Sequence, residues 1–312
     1  MASPQFPIYI CSKGRSQYGH TMHALDQMGV PYRIIVDKSD YRAYANVFGA
    51  KRILVLDSFY EREYETCDDL GMSKSLGPGP KRNFAWDHAI DEGHAWHWII
   101  DDNIAGFFRF NLNLKTPVGD GTILRCMEDF VLRYENVGMA GPNYFMFVSR
   151  KSATQPPFVL NTRIYSCNLI RNDLPLSWRC RYNEDTDISL QVLKSGWCTV
   201  LFNAFLQEKL PTQTVPGGNT ADFYVKEGTR EKSKMLCRMH PDVTELVDRF
   251  GRDHHYVDYS GFRTPLIFKK DQQISGVNNY GMTRIHVDRS LRRSRGDAMR
   301  SGRQKVKDSK AS

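Results

Sequence analysis

Short apolar runs alternate with stretches of helical period through the first hundred residues. Residues 6–11 (Phe6-Pro7-Ile8-Tyr9-Ile10-Cys11) read as a buried strand that stops at Ser12-Lys13-Gly14-Arg15. Met22, Leu25 and Met28 recur at helical spacing and Gly29 closes the segment, which predicts a helix over 21–28. The β-branched run 32–36 gives a second strand ending at Asp37, and 51–56 gives a third after the segment 41–48. The Gly/Pro-rich loop 76–80 precedes a helix over 81–92, with Phe84, Ala85, His88 and Ala89 on one face, and a strand over 96–100 runs into Asp101-Asp102-Asn103. This alternation predicts an α/β domain with a mostly parallel central sheet flanked by helices. Ligands of such sheets bind beyond the carboxyl ends of the strands. Lys13 and Arg15, Asp37, and Asp101 with Asp102 fall at such ends and are predicted to converge on one crevice.

The second half is less regularly wound. Residues 138–148 and 158–169 read as strands, 185–195 as an amphipathic helix carrying Ile188, Leu190, Val192 and Leu193, 197–202 as a buried strand and 228–239 as a helix. Beyond 271 the hydrophobic period fades into a Ser, Arg, Lys and Gly tail. No internal repeat is present.

Charge sharpens this division. Lys and Arg number 43 against 35 Asp and Glu, a formal +8, and residues 284–312 alone hold ten basic and three acidic residues. The rest of the chain is almost neutral, so the tail reads either as a nucleic-acid-binding appendage or as a solubilising end. At about 150 residues per domain, 312 residues allow one large domain or two smaller ones. The seven cysteines are never closer than thirteen residues, which indicates neither a disulfide framework nor a zinc knuckle and fits a reducing cytoplasm. No apolar stretch approaches the ~20 residues of a membrane span, so a soluble protein is expected.

The candidate chemistry is acidic and cationic at once. Asp101-Asp102-Asn103 offers hard oxygen ligands for Mg²⁺ or Mn²⁺, although an acidic pair at a strand end also serves as a loop cap. Glu184, Asp185 and Asp187 stand at the start of a helix, where they can cap it or face the crevice. Lys81-Arg82-Asn83 also opens a helix, an unfavourable place for cations unless a diphosphate or an acid sits nearby. His240 and the pair His254-His255 are possible ligands or ordinary structural residues, and only one of two adjacent strand histidines can reach a given site. The five tryptophans suit a core better than a sugar platform, with Trp178 beside Arg179 the best placed to face an acceptor. Gly217-Gly218-Asn219-Thr220 reads as an ordinary loop or a lid.

Several stretches together resemble the phage TET-associated glycosyltransferases. They are Tyr9-Ile10-Cys11-Ser12-Lys13-Gly14-Arg15, Lys81-Arg82-Asn83, Trp98-Ile99-Ile100-Asp101-Asp102-Asn103-Ile104, Asn161-Thr162-Arg163-Ile164-Tyr165-Ser166-Cys167 and Asn183-Glu184-Asp185-Thr186-Asp187-Ile188-Ser189-Leu190. Gly196-Trp197-Cys198-Thr199-Val200-Leu201-Phe202-Asn203-Ala204-Phe205, Gly217-Gly218-Asn219-Thr220 and His254-His255-Tyr256-Val257-Asp258-Tyr259 extend the likeness to about residue 266. The stretch 183–190 is far more specific than an acidic triplet.

The resemblance implies a single GT-A-like domain over 1–283, with a nucleotide-sugar half to about 110 and an acceptor half over 111–283, and the composition leaves a disordered basic tail over 284–312. It implies sugar transfer from a UDP-sugar to 5-hydroxymethylcytosine in phage DNA, downstream of a TET/JBP-type dioxygenase in the cytoplasm of the infected bacterial host. It assigns Asp37 and Asp101 to uracil and ribose, and lines the nucleotide with Ser12, Lys13, Arg15, Arg82, Asn83 and Asn103. Asp102 would hold a divalent metal (Mn or Mg), completed by His255 or His240, and Asp185 would be the general base beside Glu184. Trp178, Arg179, Lys209, Gly218, Asn219 and Lys226 would meet the DNA, with Arg230 adding charge. A catalytically inactive DNA-binding module and a glycosyltransferase acting on protein or polysaccharide are the alternatives.

Overall fold

The computed structural model describes residues 3–69, 71, 75–150, 155–210, 230–249 and 251–270. The compact body ends at Lys269. In chain order its elements are β1 (Ile8–Cys11), α1 (His20–Gln27), β2 (Arg33–Val36), α2 (Tyr41–Phe48), β3 (Ile53–Val55), α3 (Ser58–Arg62), α4 (Gly79–Asp91) and β4 (Trp96–Asp101). There follow β5 (Ile104–Asn111), β6 (Leu114–Pro117), α5 (Thr122–Val131), β7 (Val137–Tyr144), β8 (Phe158–Leu160), β9 (Cys167–Arg171), α6 (Glu184–Lys194), β10 (Cys198–Lys209), α7 (Arg230–Met239), β11 (Thr244–Arg249) and β12 (Arg252–Val257).

Ten strands form one sheet in the order β3-β2-β1-β4-β9-β7-β10-β5-β6, with β8 paired to β10. β1, β2, β3 and β4 are mutually parallel, and β10 is parallel to β7. Because β9 runs antiparallel to both β4 and β7, the six strands β1–β4, β7 and β10 all point the same way. β11 and β12 form a separate antiparallel hairpin.

The core follows the apolar runs. Ile8, Ile10, Ile34, Trp98, Ile100 and Leu169 are fully buried in the main cluster, where each large apolar side chain contributes about 1.5–3 kcal/mol. α5 buries Ile123, Leu124, Met127 and Val131 at helical spacing, and its buried Glu128 accepts hydrogen bonds from the Gln5 and Phe6 amides and from Trp98 Nε1. The predicted strand over 158–169 is in fact two. Asn161 and Ser166 adopt φ of 57° and 62°, a left-handed turn that no strand continues through, so β8 and β9 pair in different parts of the sheet. The segment 104–131, to which no element is assigned from the sequence, supplies β5, β6 and α5.

Candidate active site

The parallel strands deliver their ends to one edge, as expected of Arg15, Asp37, Asp101 and Asp102. Beyond β1, Ser12 Oγ donates to Asp102 Oδ2 at 2.5 Å and Arg15 Nη1 to Oδ1 at 2.7 Å. Tyr44 shares a 2.6 Å hydrogen bond with Ser12. Lys13 is exposed on the same loop. Beyond β2, Asp37 pairs with Lys81 at 2.6 Å. Burial raises the Asp102 carboxyl, against the opposing pull of Arg15 and Ser12.

Lys81 and Arg82 lie in the first turn of α4, at the positive end of its dipole. The turn can form there because residue 79 is glycine: a Cβ would collide with the Tyr64 hydroxyl, which donates to Cys180 O at 2.7 Å. The charge conflict is resolved by resident acids. Arg82 is 1% exposed, and its guanidinium meets Asp185 at 2.6 Å, Asp101 at 2.9 Å and Glu184 at 3.6 Å. It also stacks 4.3 Å from the Trp178 ring centroid.

Those acids come from elements that meet only in the folded chain. α6 starts from Asn183 in the left-handed conformation with no side-chain cap, and its first-turn carboxylates pair with other segments, Glu184 and Asp185 with Arg82 and Asp187 with Arg179 and His240. Asp185 accepts from Asn168 Nδ2 at 3.1 Å and more weakly from the Ser166 amide at 3.3 Å, so Oδ2 carries the lighter load. From the end of β10, Lys209 Nζ donates to Asp101 Oδ2 at 2.7 Å and to Ser166 Oγ at 2.6 Å. Tyr144, at the end of β7, hydrogen-bonds the same Ser166 hydroxyl at 2.8 Å. Burial opposes ionisation of Asp101, but Lys209 and Arg82 outweigh it and hold the carboxyl at about 2. Burial and the neighbouring Asp185 push Glu184 up, with Arg82 pulling the other way. The result is a crevice edge of carboxylates and buried cations, able to take up an anionic leaving group and a proton.

Other residues expected at the site lie elsewhere. Asn83 spends both ends of its amide on the Trp178 backbone, donating at 2.9 Å and accepting at 2.8 Å. Trp178 is 1% exposed beneath Arg82, a core residue and not a face for an acceptor. Arg179 forks onto the fully buried Asp187, with both bonds at 3.1 Å, and with Asn83 it lines a cavity of about 610 Å³ to which Arg82, Asp101 and Asp185 do not contribute. His240 Nε2 donates to the same Asp187 at 2.7 Å, so it ties the end of α7 to α6. His255 lies on β12 opposite Leu246. Asn103 is buried with an unpartnered Oδ1. Gly218, Asn219 and Lys226, and the tail over 284–312, lie outside the described residues.

These placements bear on a metal. Both oxygens of Asp102 and both of Asp101 already receive hydrogen bonds from side chains of the protein. His240 is committed to Asp187, and no three His, Cys, Asp or Glu side chains stand together as ligands among the described residues. As arranged, with both Asp102 oxygens and His240 Nε2 committed to protein partners, Asp102, His240 and His255 do not fit a divalent cation. Ser166, Asn168 and Tyr144 are members of the site with no role in the sequence reading. Ser166 lies in a family-like stretch, yet nothing local shows that a turn would carry it to Lys209.

A mixed α/β sheet whose parallel strand ends gather carboxylates and cations into one crevice has the architecture of a ligand-binding α/β enzyme. The family model for TET-Associated Glycosyltransferase matches residues 6–218, well over half of the chain, and the chain belongs to that family. No curated protein matches it.

Proposed function

We propose that the chain moves a sugar from a nucleotide sugar, a UDP-linked hexose or N-acetylhexosamine, to the hydroxyl of 5-hydroxymethylcytosine in DNA. The observation that carries this reading is the Arg82 bridge, which sets Asp185 beside Asp101 and Lys209 at the strand ends. In the proposed step the acceptor oxygen attacks the anomeric carbon and its proton passes to Asp185 Oδ2. The bond from the anomeric carbon to the diphosphate oxygen breaks with its electron pair. Lys209, Arg82 and Arg15, each paired with an acid before the donor binds, would turn part of their hydrogen bonding to the departing diphosphate as its charge develops. Asp37 at the end of β2 would receive the nucleoside. General-base assistance of this kind contributes ~10²–10⁴ in rate.

The association with TET in the family's name suggests a dioxygenase of that type as the source of the hydroxymethyl group, and the likeness to phage sequences puts the proposed reaction in the cytoplasm of an infected bacterium. No described helix is long and apolar enough to cross a membrane. The test is to incubate the protein with hydroxymethylcytosine-containing DNA and a panel of UDP-sugars, with and without Mn²⁺, and to digest the DNA for mass spectrometry of nucleosides. A hexose or N-acetylhexosamine mass gain is expected. No gain with any donor overturns the reading, and donor turnover without DNA points to a protein or polysaccharide acceptor.

A further inference from the structure

The chain leaves the crevice along a ledge whose chemistry differs from the rest of the molecule. Tyr144 hydrogen-bonds the Ser166 hydroxyl that accepts from Lys209. The next residue, Phe145, is fixed by its amide on Gln207 O at 2.8 Å, by its ring 4.7 Å from that of Phe108, and by Lys115 Nζ 4.2 Å above the same ring. From this anchor Met146 and Phe147 project into solvent, 73% and 52% exposed. Arg150 then reaches the β5–β6 turn, donating to Asn113 O at 3.3 Å, where Leu112 and Leu114 are again largely exposed. Four large apolar side chains thus lie bare on one strip that starts beside the site.

The charge of the strip has one sign. Arg109, Lys115 and Arg150 are its charged residues, and residues 104–118 and 137–150 contain no acid. A rigidly seated apolar pair between cations matches a nucleic-acid strand: cations take phosphates, and apolar wedges enter a base step and unstack it. A hydroxymethyl group at C5 of cytosine faces the major groove, and extrusion of the nucleotide carries it from there into a crevice of this kind.

We propose that Met146 and Phe147 form a wedge that enters the DNA base stack beside the target nucleotide, with Arg109, Lys115 and Arg150 on the flanking phosphates. The proposal rests on the reading of DNA as acceptor. It replaces Trp178 and Arg179 as the acceptor-facing residues.

The test compares wild type with the double variant Met146→Ser/Phe147→Ser and with Leu112→Ser/Leu114→Ser, all at exposed positions. Two DNA acceptors are used, a duplex and a short single strand, each carrying one hydroxymethylcytosine. A donor-free arm follows 2-aminopurine fluorescence next to the target in the duplex. The Met146/Phe147 variant should lose ~10-fold or more in kcat/KM on the duplex, keep its rate on the single strand, and fail to raise the fluorescence that wild type raises. Equal rates on the duplex, equal losses on both acceptors, or no fluorescence rise with wild type overturns the wedge. If wild type raises the fluorescence but modifies neither DNA, the wedge stands and the acceptor reading falls. Sedimentation of wild type, but not the double variant, with phosphatidylserine vesicles, with no 2-aminopurine response, would assign the ledge to a lipid surface and overturn the proposal.

Discussion

Arg82 Nη1 lies 2.6 Å from Asp185 Oδ1, so the first turns of two helices meet through one ion pair although 103 residues separate its members. The pair orients the carboxylate while leaving Oδ2 the freer oxygen. Asp185→Asn should therefore cut turnover by ~10²–10⁴ and leave UDP binding close to wild type. Steady-state rates together with calorimetric titration of UDP check both halves of this expectation.

The same guanidinium neutralises carboxylates that are largely withdrawn from water. Arg82→Ala leaves Asp101, Glu184 and Asp185 without their shared cation, and a loss of about 3–5 kcal/mol is expected in urea denaturation. Arg82→Lys keeps the charge but has no fork to span Asp101 and Asp185, so it should recover part of the stability and little of the turnover.

Lys209 and Asp101 make the matching test for the leaving group. Burial disfavours the lysine's charge, but Asp101 outweighs it and drives its pKa upward, so the ammonium persists at every working pH. Lys209→Met should lower turnover by ~10²–10³. Sugar transfer by the wild-type chain should persist in excess EDTA, measured by release of UDP, and loss of activity on chelation with recovery on Mn²⁺ would reassign the charge to a metal.

His97 provides a pH signature separate from catalysis. It is fully buried in β4, donates from Nδ1 to Asn172 Oδ1 at 2.5 Å, and is pushed down to about 4 by burial. The unfolded chain takes up this proton near pH 6.5, whereas the folded one resists it until about 4. The stability contribution is thus intact above about pH 6.5 and lost as the pH falls toward 4, by roughly 3 kcal/mol. Burial also lowers His88, which adds to the wild-type slope in the same window. A His97→Met variant should show the shallower dependence in denaturation series across that range.

The first four parallel strands were legible because their apolar runs and the helices between them are local patterns. So was the residue class of the crevice, since acids after a strand and cations opening a helix can be seen in a single stretch. What they touch could not be seen. Arg82 was expected to meet a diphosphate or an acid, but which acids could not be read, since Asp101 and Asp185 answer its charge and Asp185 comes from the other half of the chain. His240 looked available as a ligand until Asp187, 53 residues away, proved to hold it. β5 escaped detection because its exposed and buried positions do not alternate cleanly, and the turn that separates β8 from β9 rests on left-handed Asn161 and Ser166. The ledge at Met146 and Phe147 lay inside a predicted strand over 138–148 that ends earlier, at Tyr144.

β10 stands between β7 and β5 in the sheet although it is among the last strands made, and it carries Lys209 to an aspartate 108 residues earlier. A ribosome that has released only the first two hundred residues has exposed the acids of the crevice without the lysine that completes it. Such a chain lacks the Lys209 bond to Asp101, so completion of the crevice comes late in synthesis. Its pace is set by strands that must find each other across the sequence, not by the helices that form within it.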